Sequence, residues 1–130
     1  MSGWEGRQVV VAGAGVSGAA AARVLRDLGA RVVVADASEE RAEPLRAEGF
    51  DVRPLEQPPA GTSLVVTSPG WRPTSPLLVA AAEAGVEVWG EVELAWRLRP
   101  AGAAPWLALT GTNGKTTTVR MLASVLEAAG

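Results

Sequence analysis

The chain has 130 residues, room for one ordinary domain with its own core plus part of another. Hydrophobic residues make up 48%, as in a globular protein, and a net charge of −2 argues against a general nucleic-acid binder. There is no cysteine and no histidine, which excludes disulfides, thiolate catalysis, a cysteine zinc site and the commonest general base.

Carboxylates, hydroxyls, backbone amides, arginines and one lysine must therefore carry any chemistry. The opening MSGWEGRQ lacks the basic and apolar regions of a signal peptide. No apolar run reaches the roughly 18 residues of a membrane span. The expectation is a cytoplasmic protein, monomeric, with neither a nucleic-acid partner nor a membrane span.

In chain order, Val9 to Ala12 is a continuous apolar run, as in a strand buried on both faces of a parallel sheet. Ala19 to Leu28 reads as a helix, with Gly29 beyond it as C-cap. Arg31 to Asp36 is the next buried strand. SEERAEPLRAEG is a helix candidate capped by Ser38, acidic in its first turn and ended by Gly49. Pro44 predicts a late start or a kink there, because a mid-helix proline costs about 3 kcal/mol.

FDVRPL is a weak strand, EQPPAGTS a loop, and LVVTS from Leu64 to Ser68 another buried strand. TSPLLVAAAEAG predicts a helix with Ser75 as N-cap, Pro76 at the first helical position and Gly85 as terminator. VEVW is a strand and EVELAWRLR a short helix. RPAGAAP from Arg99 to Pro105 is a linker. It predicts a first domain over residues 1–102 and the start of a second over 103–130. The fold class is α/β: a Rossmann-like, mostly parallel sheet with flanking helices, followed by the first strand, P-loop and helix of a second α/β ATPase domain.

Two glycine loops carry the chemistry. GAGVSG places Gly13, Gly15 and Gly18 in G-x-G-x-x-G spacing between strand and helix. Gly13 permits a tight turn, Gly15 lets backbone approach a phosphate, and Gly18 lets helix pack on strand. Asp36 ends the second strand at the offset where an acid meets a ribose or base. The spacing does not choose between a dinucleotide and another pyrophosphate ligand, and the glycines are also compatible with close helix packing alone.

GTNGKTT is the second loop, with Gly111, Thr112, Asn113, Gly114, Lys115, Thr116 and Thr117 between an apolar strand and an amphipathic helix. Successive N–H groups there can wrap a β-phosphate, the ammonium of Lys115 can bridge β and γ oxygens, and Thr116 can ligate Mg²⁺. Leu109 stands where the common P-loop has its first glycine. The bland alternative is a threonine-rich helix start with an incidental lysine. Yet Lys115 is the sole lysine, in a chain that uses arginine wherever else it needs a cation.

Among the five tryptophans, Trp89, Trp96 and Trp106 are expected in or near cores. Trp71, in an exposed turn after Ser-Pro-Gly, is the one placed to touch a ligand or further domains. Glu91 and Glu93 diverge on a short helix, so capping and solvation suit them better than paired acid–base work.

Taken together, TGTNGKTT, GAGVSG, TSPGWRPTSP from Thr67 to Pro76 and GEVEL from Gly90 to Leu94 resemble the Mur ligases, the ATP-dependent ligases of peptidoglycan precursor synthesis. The family's ATPase domain opens with a loop similar to TGTNGKTT, which accounts for the missing first glycine. The N-terminal stretches are most similar to the branch that adds D-glutamate to UDP-N-acetylmuramoyl-L-alanine. The resemblance implies three domains, of which this chain holds the first and the start of the ATPase domain. It is thus expected to be a truncated piece, inactive alone, with the D-glutamate site and second-metal ligands beyond Gly130.

The implied reaction forms an amide through an acyl phosphate, with ATP and Mg²⁺ as cofactors. Lys115 would stabilise charge on the transferring phosphoryl group and Thr116 would hold Mg²⁺. Gly15, Val16 and Ser17 would face the diphosphate of the UDP substrate, Asp36, Ala37 and Ser38 the uracil, and Ser68, Pro69 and Gly70 the same crevice. Two other readings stay open: an NAD(P)-binding Rossmann domain of a dehydrogenase, which leaves GTNGKTT unexplained, and a non-catalytic nucleotide-sensing module.

Overall fold

The computed structural model describes residues 3–130, and the chain divides into two units, Met1–Arg99 and Pro100–Gly130. The first unit is a five-stranded, wholly parallel sheet in the order β3-β2-β1-β4-β5. Its strands are β1 (Gln8–Ala12), β2 (Arg31–Ala35), β3 (Asp51–Arg53), β4 (Thr62–Thr67) and β5 (Glu87–Gly90). Its helices are α1 (Val16–Asp27), α2 (Glu39–Ala47), α3 (Pro76–Glu83) and α4 (Glu91–Arg97). The chain winds outward from β1 to β3, then crosses back to β4, so the winding reverses between β1 and β4.

Alternation along each strand sorts the core into two faces. Val9 and Val11, with Val34, Leu64 and Val66, pack under α1, α2 and α4 through Leu25, Leu45 and Leu94. Val10, Ala12, Ala35 and Val65 face the other way, onto Leu77, Leu78 and Ala81 of α3. Burial on both faces is why the central strands read as unbroken valine runs rather than alternating ones.

The register aligns the carboxyl ends of all five strands. Ala12 pairs with Ala35 and Thr67, Ala35 with Arg53, and Thr67 with Gly90. Backbone bonds carry the ladder one residue further: Gly13 N donates to Ala35 O at 2.8 Å, Asp36 N to Arg53 O at 3.2 Å and Ser68 N to Ala12 O at 3.2 Å. Gly13, Asp36, Ser68 and Glu91 therefore follow directly on one rung.

Several local expectations shift. Helix α1 begins at Val16 instead of Ala19, because the glycine loop itself turns into the helix. Helix α2 starts on time, with Ser38 accepting from Arg41 N and Pro44 inside it. The bond Pro44 cannot donate is the one to Glu40, an exposed residue whose carbonyl water can satisfy. Trp89 is partly buried against the core beside Trp4, but Trp96 is 48% and Trp106 45% exposed. Leu94 supplies the buried face of α4, and Trp96, two residues on, falls about 200° round the helix, away from it.

In the second unit, α5 (Lys115–Ala129) is present and none of its residues is buried. The strand expected ahead of it does not form: residues 103–111 carry no regular structure. A strand needs a neighbour to receive its backbone bonds, and Pro100–Gly130 offers none, whereas a helix closes its bonds internally.

The tightest contact in the first unit is at Gly18, where a Cβ would stand 1.8 Å from the carbonyl oxygen of Gly13. Since the obstacle is backbone, Gly18→Ala forces α1 away from its loop. Thermal and urea denaturation should show a loss of about 2–4 kcal/mol, against a few tenths for Gly15→Ala, whose Cβ meets nothing within 4 Å.

Candidate functional site

The candidate site opens where the winding reverses, at the carboxyl ends of β1 and β4, the place where open α/β sheets bind ligands. Three glycines shape its loop for three different reasons. Gly13 has φ +106°, and a Cβ there would stand 2.5 Å from Ser68 Oγ and 3.0 Å from Trp71 Nε1. Gly18 is excluded from carrying a side chain by the Gly13 carbonyl. Gly15 has ordinary backbone angles and open space around it. Packing therefore accounts for Gly13 and Gly18, whereas Gly15 is the N-cap of α1 and has open space around it.

Of the loop amides, Gly13 donates to Ala35 and Ala14 donates to Asp36 Oδ2 at 2.9 Å. The N–H groups of Gly15, Val16 and Ser17 have no backbone acceptor among the described residues. They open the N-terminus of α1, with the Val16 residue 92% exposed. Convergent free amides at a helix start form an anion site.

Asp36 is the one buried charged residue of the described core, 6% exposed. Its carboxylate accepts four hydrogen bonds: Ala14 N and Arg41 Nε on Oδ2, Ser38 N and Arg41 Nη2 on Oδ1, all at 2.8–2.9 Å. Burial pushes the carboxyl upward, but the Arg41 guanidinium and the two amides outweigh it and bring it down to about 2. Four bonds fill the lone-pair sites of a carboxylate. Asp36 thus ties the glycine loop to the start of α2, and no site on it stays open for a ribose hydroxyl.

Beyond Asp36 lies a crevice of ≈ 560 Å³ between Asp36, Ala37 and Arg41 on one side and Gly70, Trp71 and Arg72 on the other, floored by Leu55 and Leu77. Ser68 and Pro69 line a smaller adjoining hollow with Trp71 and Glu91. Ser17 faces a third, apolar groove of ≈ 420 Å³ between α1 and α4. Ser38 lines none of these three, and its N–H is spent on Asp36. The Ser68 hydroxyl donates to Ala12 O at 3.1 Å, so it braces the loop from below.

Glu91 departs from the expected solvated cap: its Oε2 is buried without a hydrogen-bond partner. At the first position of α4, its side chain turns into the gap between Ser17 and the Ser68 turn. The sequence reading did not single out Arg41, Arg72 or Leu55. Only the sheet brings these three strand- and turn-end segments to one crevice.

In the second unit, Gly114 takes the left-handed conformation, φ +76°, and caps α5. The N–H groups of Lys115, Thr116 and Thr117 have no backbone acceptor among the described residues, and Thr118 N closes the first turn on Gly114 O at 2.9 Å. Gly111, Thr112, Asn113 and Lys115 are all exposed. The loop thus presents the glycine turn, free amides and ammonium that a phosphate requires. Among the described residues, no group of three or more acidic side chains is arranged to hold a metal, and no helix is long and apolar enough to cross a membrane.

The first unit has a Rossmann-like α/β fold, and the loop after β1 has the free amides of an anion site. Residues 1–67 match the family model described as alanine dehydrogenase/PNT, C-terminal domain, and this part of the chain belongs to that family of domains. Across the whole chain the likeness is narrower. It is 62% identical to the UDP-N-acetylmuramoylalanine–D-glutamate ligase of Streptomyces avermitilis, covering 100% of this chain and 29% of that protein. The same-named ligase of Thermobifida fusca is also 62% identical, over 96% of this chain and 28% of its own length.

The crystal structure of a UDP-N-acetylmuramate–alanine ligase from Thermotoga maritima superposes with a TM-score of 0.64 at 27% identity, over 93% of this chain and 29% of that one. The chain belongs to the Mur ligase family, and within it is most like the D-glutamate-adding ligases. It spans about 29% of the length of the curated relatives it matches.

The Asp36 network sets an acid limit. The carboxyl is lowered from 3.8 to about 2, so the unfolded chain binds the extra proton first. The stabilisation is complete above pH 3.8 and is lost as pH falls toward 2. It amounts to at most about 2 kcal/mol, and less in salt, because Arg41 is half exposed. Asp36→Asn should remove this slope from a urea-stability profile between pH 5 and 2 and cost about 1–3 kcal/mol at pH 7.

Proposed function

We propose that residues 1–102 bind the uridine nucleotide of UDP-N-acetylmuramoyl-L-alanine and that residues 103–130 begin an ATPase domain of a D-glutamate-adding ligase. One observation carries the nucleotide reading: the amides of Gly15, Val16 and Ser17 have no backbone acceptor among the described residues, and the space around Gly15 is open. A diphosphate can approach the backbone at that point and take those amides. The ligase reading is supported by the 62% identity to named D-glutamate ligases and by TGTNGKTT, which a dehydrogenase domain does not need. The closed ring of bonds around Asp36 also disfavours the NAD(P) alternative, which asks that carboxylate to accept a ribose hydroxyl.

In this reading Gly15, Val16 and Ser17 hold the diphosphate, and Asp36 keeps their loop in place from below. Ala37, Gly70, Ser68 and Pro69 line the space for the nucleoside, where backbone groups do most of the recognition because Ala37 offers no polar side chain. Ser38 and Asp36 enter through the turn they stabilise. When bound, Mg-ATP supplies the phosphoryl group that activates the substrate carboxylate. The residues Gly111, Thr112, Asn113, Gly114 and Thr117 shape the loop that would hold its phosphates. Lys115 would supply the positive charge for the phosphoryl oxygens, and the Thr116 hydroxyl would be the group that holds the metal. The full ligase is an enzyme of peptidoglycan precursor synthesis in the cytoplasm, and the 130-residue chain alone binds without turning over.

Calorimetric titration of this chain with UDP-N-acetylmuramoyl-L-alanine, NAD and Mg-ATP tests the assignment. Binding of the uridine nucleotide in preference to NAD is the expected result; preference for NAD overturns it. Gly15→Ala, which leaves the fold intact, should weaken the uridine nucleotide at least tenfold, because its methyl group occupies the approach to the loop amides.

A further inference from the structure

The Ser68–Arg72 turn presents a hydrogen-bond donor that has no acceptor among the described residues. Trp71 is half-buried, its ring packed against the Val65–Leu77 side of the core. Its Nε1 lies 3.0 Å from the point where a Cβ on Gly13 would stand, so it sits at the base of the glycine loop. An indole N–H is a donor only, and no acceptor takes it among the described residues. The backbone of Trp71 is itself held, its N–H donating to Ser68 O at 3.2 Å, and Ser68 is pinned to Ala12 by hydroxyl and amide.

The donor is therefore pre-positioned, and its residue lines both the crevice beyond Asp36 and the hollow beside Ser68. The next residue, Arg72, also lines the crevice. No carboxylate pairs with it among the described residues, whereas Arg41 opposite is spent on Asp36.

We propose that Trp71 is a ligand-binding residue whose indole N–H donates to a phosphate oxygen of the nucleotide, opposite the Gly15–Ser17 amides, with Arg72 supplying the accompanying positive charge. The assignment rests on the uridine-nucleotide reading above and adds a second wall to it. The glycine loop grips the diphosphate from the α1 side, and the turn after β4 grips it from the other. The chemical class recognised is a phosphate ester. The base and sugar are not required for this contact.

The test uses the 130-residue chain, ¹⁵N-labelled, titrated with UDP and with uridine. UDP should move the Trp71 indole proton downfield while uridine leaves it in place. Trp71→Phe, which keeps an aromatic ring but removes the indole N–H, should weaken UDP about tenfold and leave uridine unchanged. Arg72→Ala should lower UDP affinity and flatten its dependence on salt.

UDP binding within twofold of wild type by Trp71→Phe overturns the proposal, as does an equal loss for uridine and UDP, which would mark a packing or base-stacking role. Should Trp71→Phe fail to fold, the wild-type indole shift decides: no movement with UDP overturns the proposal. A wild-type chain that binds no UDP at all refutes the nucleotide reading itself, a failure distinct from UDP binding that bypasses Trp71.

Discussion

The arrangement of the first unit depends on the carbonyl of Gly13 lying where a side chain on Gly18 would be, with 1.8 Å separating the two positions. That approach sets the first turn of α1 hard against the end of β1. It makes the loop from Gly13 to Gly18 short and stiff, and it aims the unclaimed N–H groups of Gly15, Val16 and Ser17 out of the carboxyl edge of the sheet. Relaxing it by even one methyl would tilt the helix, and the amides would no longer converge. The same six residues thus combine close packing with exposed backbone amides, and Gly13 and Gly18 are the glycines that packing requires.

Asp36 holds this loop from the neighbouring strand. A carboxylate this deeply buried must be fully paired, and two amides and a bidentate guanidinium achieve it. Two of those bonds join segments 22 residues and two residues away, so a single side chain locks the β1–α1 loop to the β2–α2 turn. An acid at the end of the second strand is commonly read as a ligand contact. Here its lone pairs are consumed inside the protein, and the groups left without a protein partner among the described residues include the loop amides, the Trp71 indole and Arg72.

The second unit follows a different balance. Its helix forms from local bonds and strong helix-forming residues, while the apolar stretch before it stays irregular because no partner strand lies within Pro100–Gly130. The phosphate-loop features survive this because they are local. The positive φ of Gly114 and the free amides of a helix start need no sheet to exist. What the loop lacks within this unit is the packed strand that would stiffen it.

Much of the protein was legible from residue order alone. Valine runs marked strands buried on both faces, glycines marked helix ends, and the G-x-G-x-x-G and GTNGKTT spacings marked two glycine turns that open helices, because each is a property of neighbours in the chain. Three matters were not legible that way. Whether Asp36 faces a ligand or the protein depended on Arg41 arriving from α2. Whether Trp96 is buried depended on which face of α4 Leu94 claims, and the state of Glu91 depended on the gap beside Ser17.

Sequence by itself thus determined most of the elements and their order, the strand expected before α5 excepted, because local propensity and spacing set them. Tertiary structure alone decided which polar groups find a partner within the protein. Pairing is settled between segments distant in the chain, and only the parallel register that brings Ala12, Ala35, Arg53, Thr67 and Gly90 to one line places those segments together.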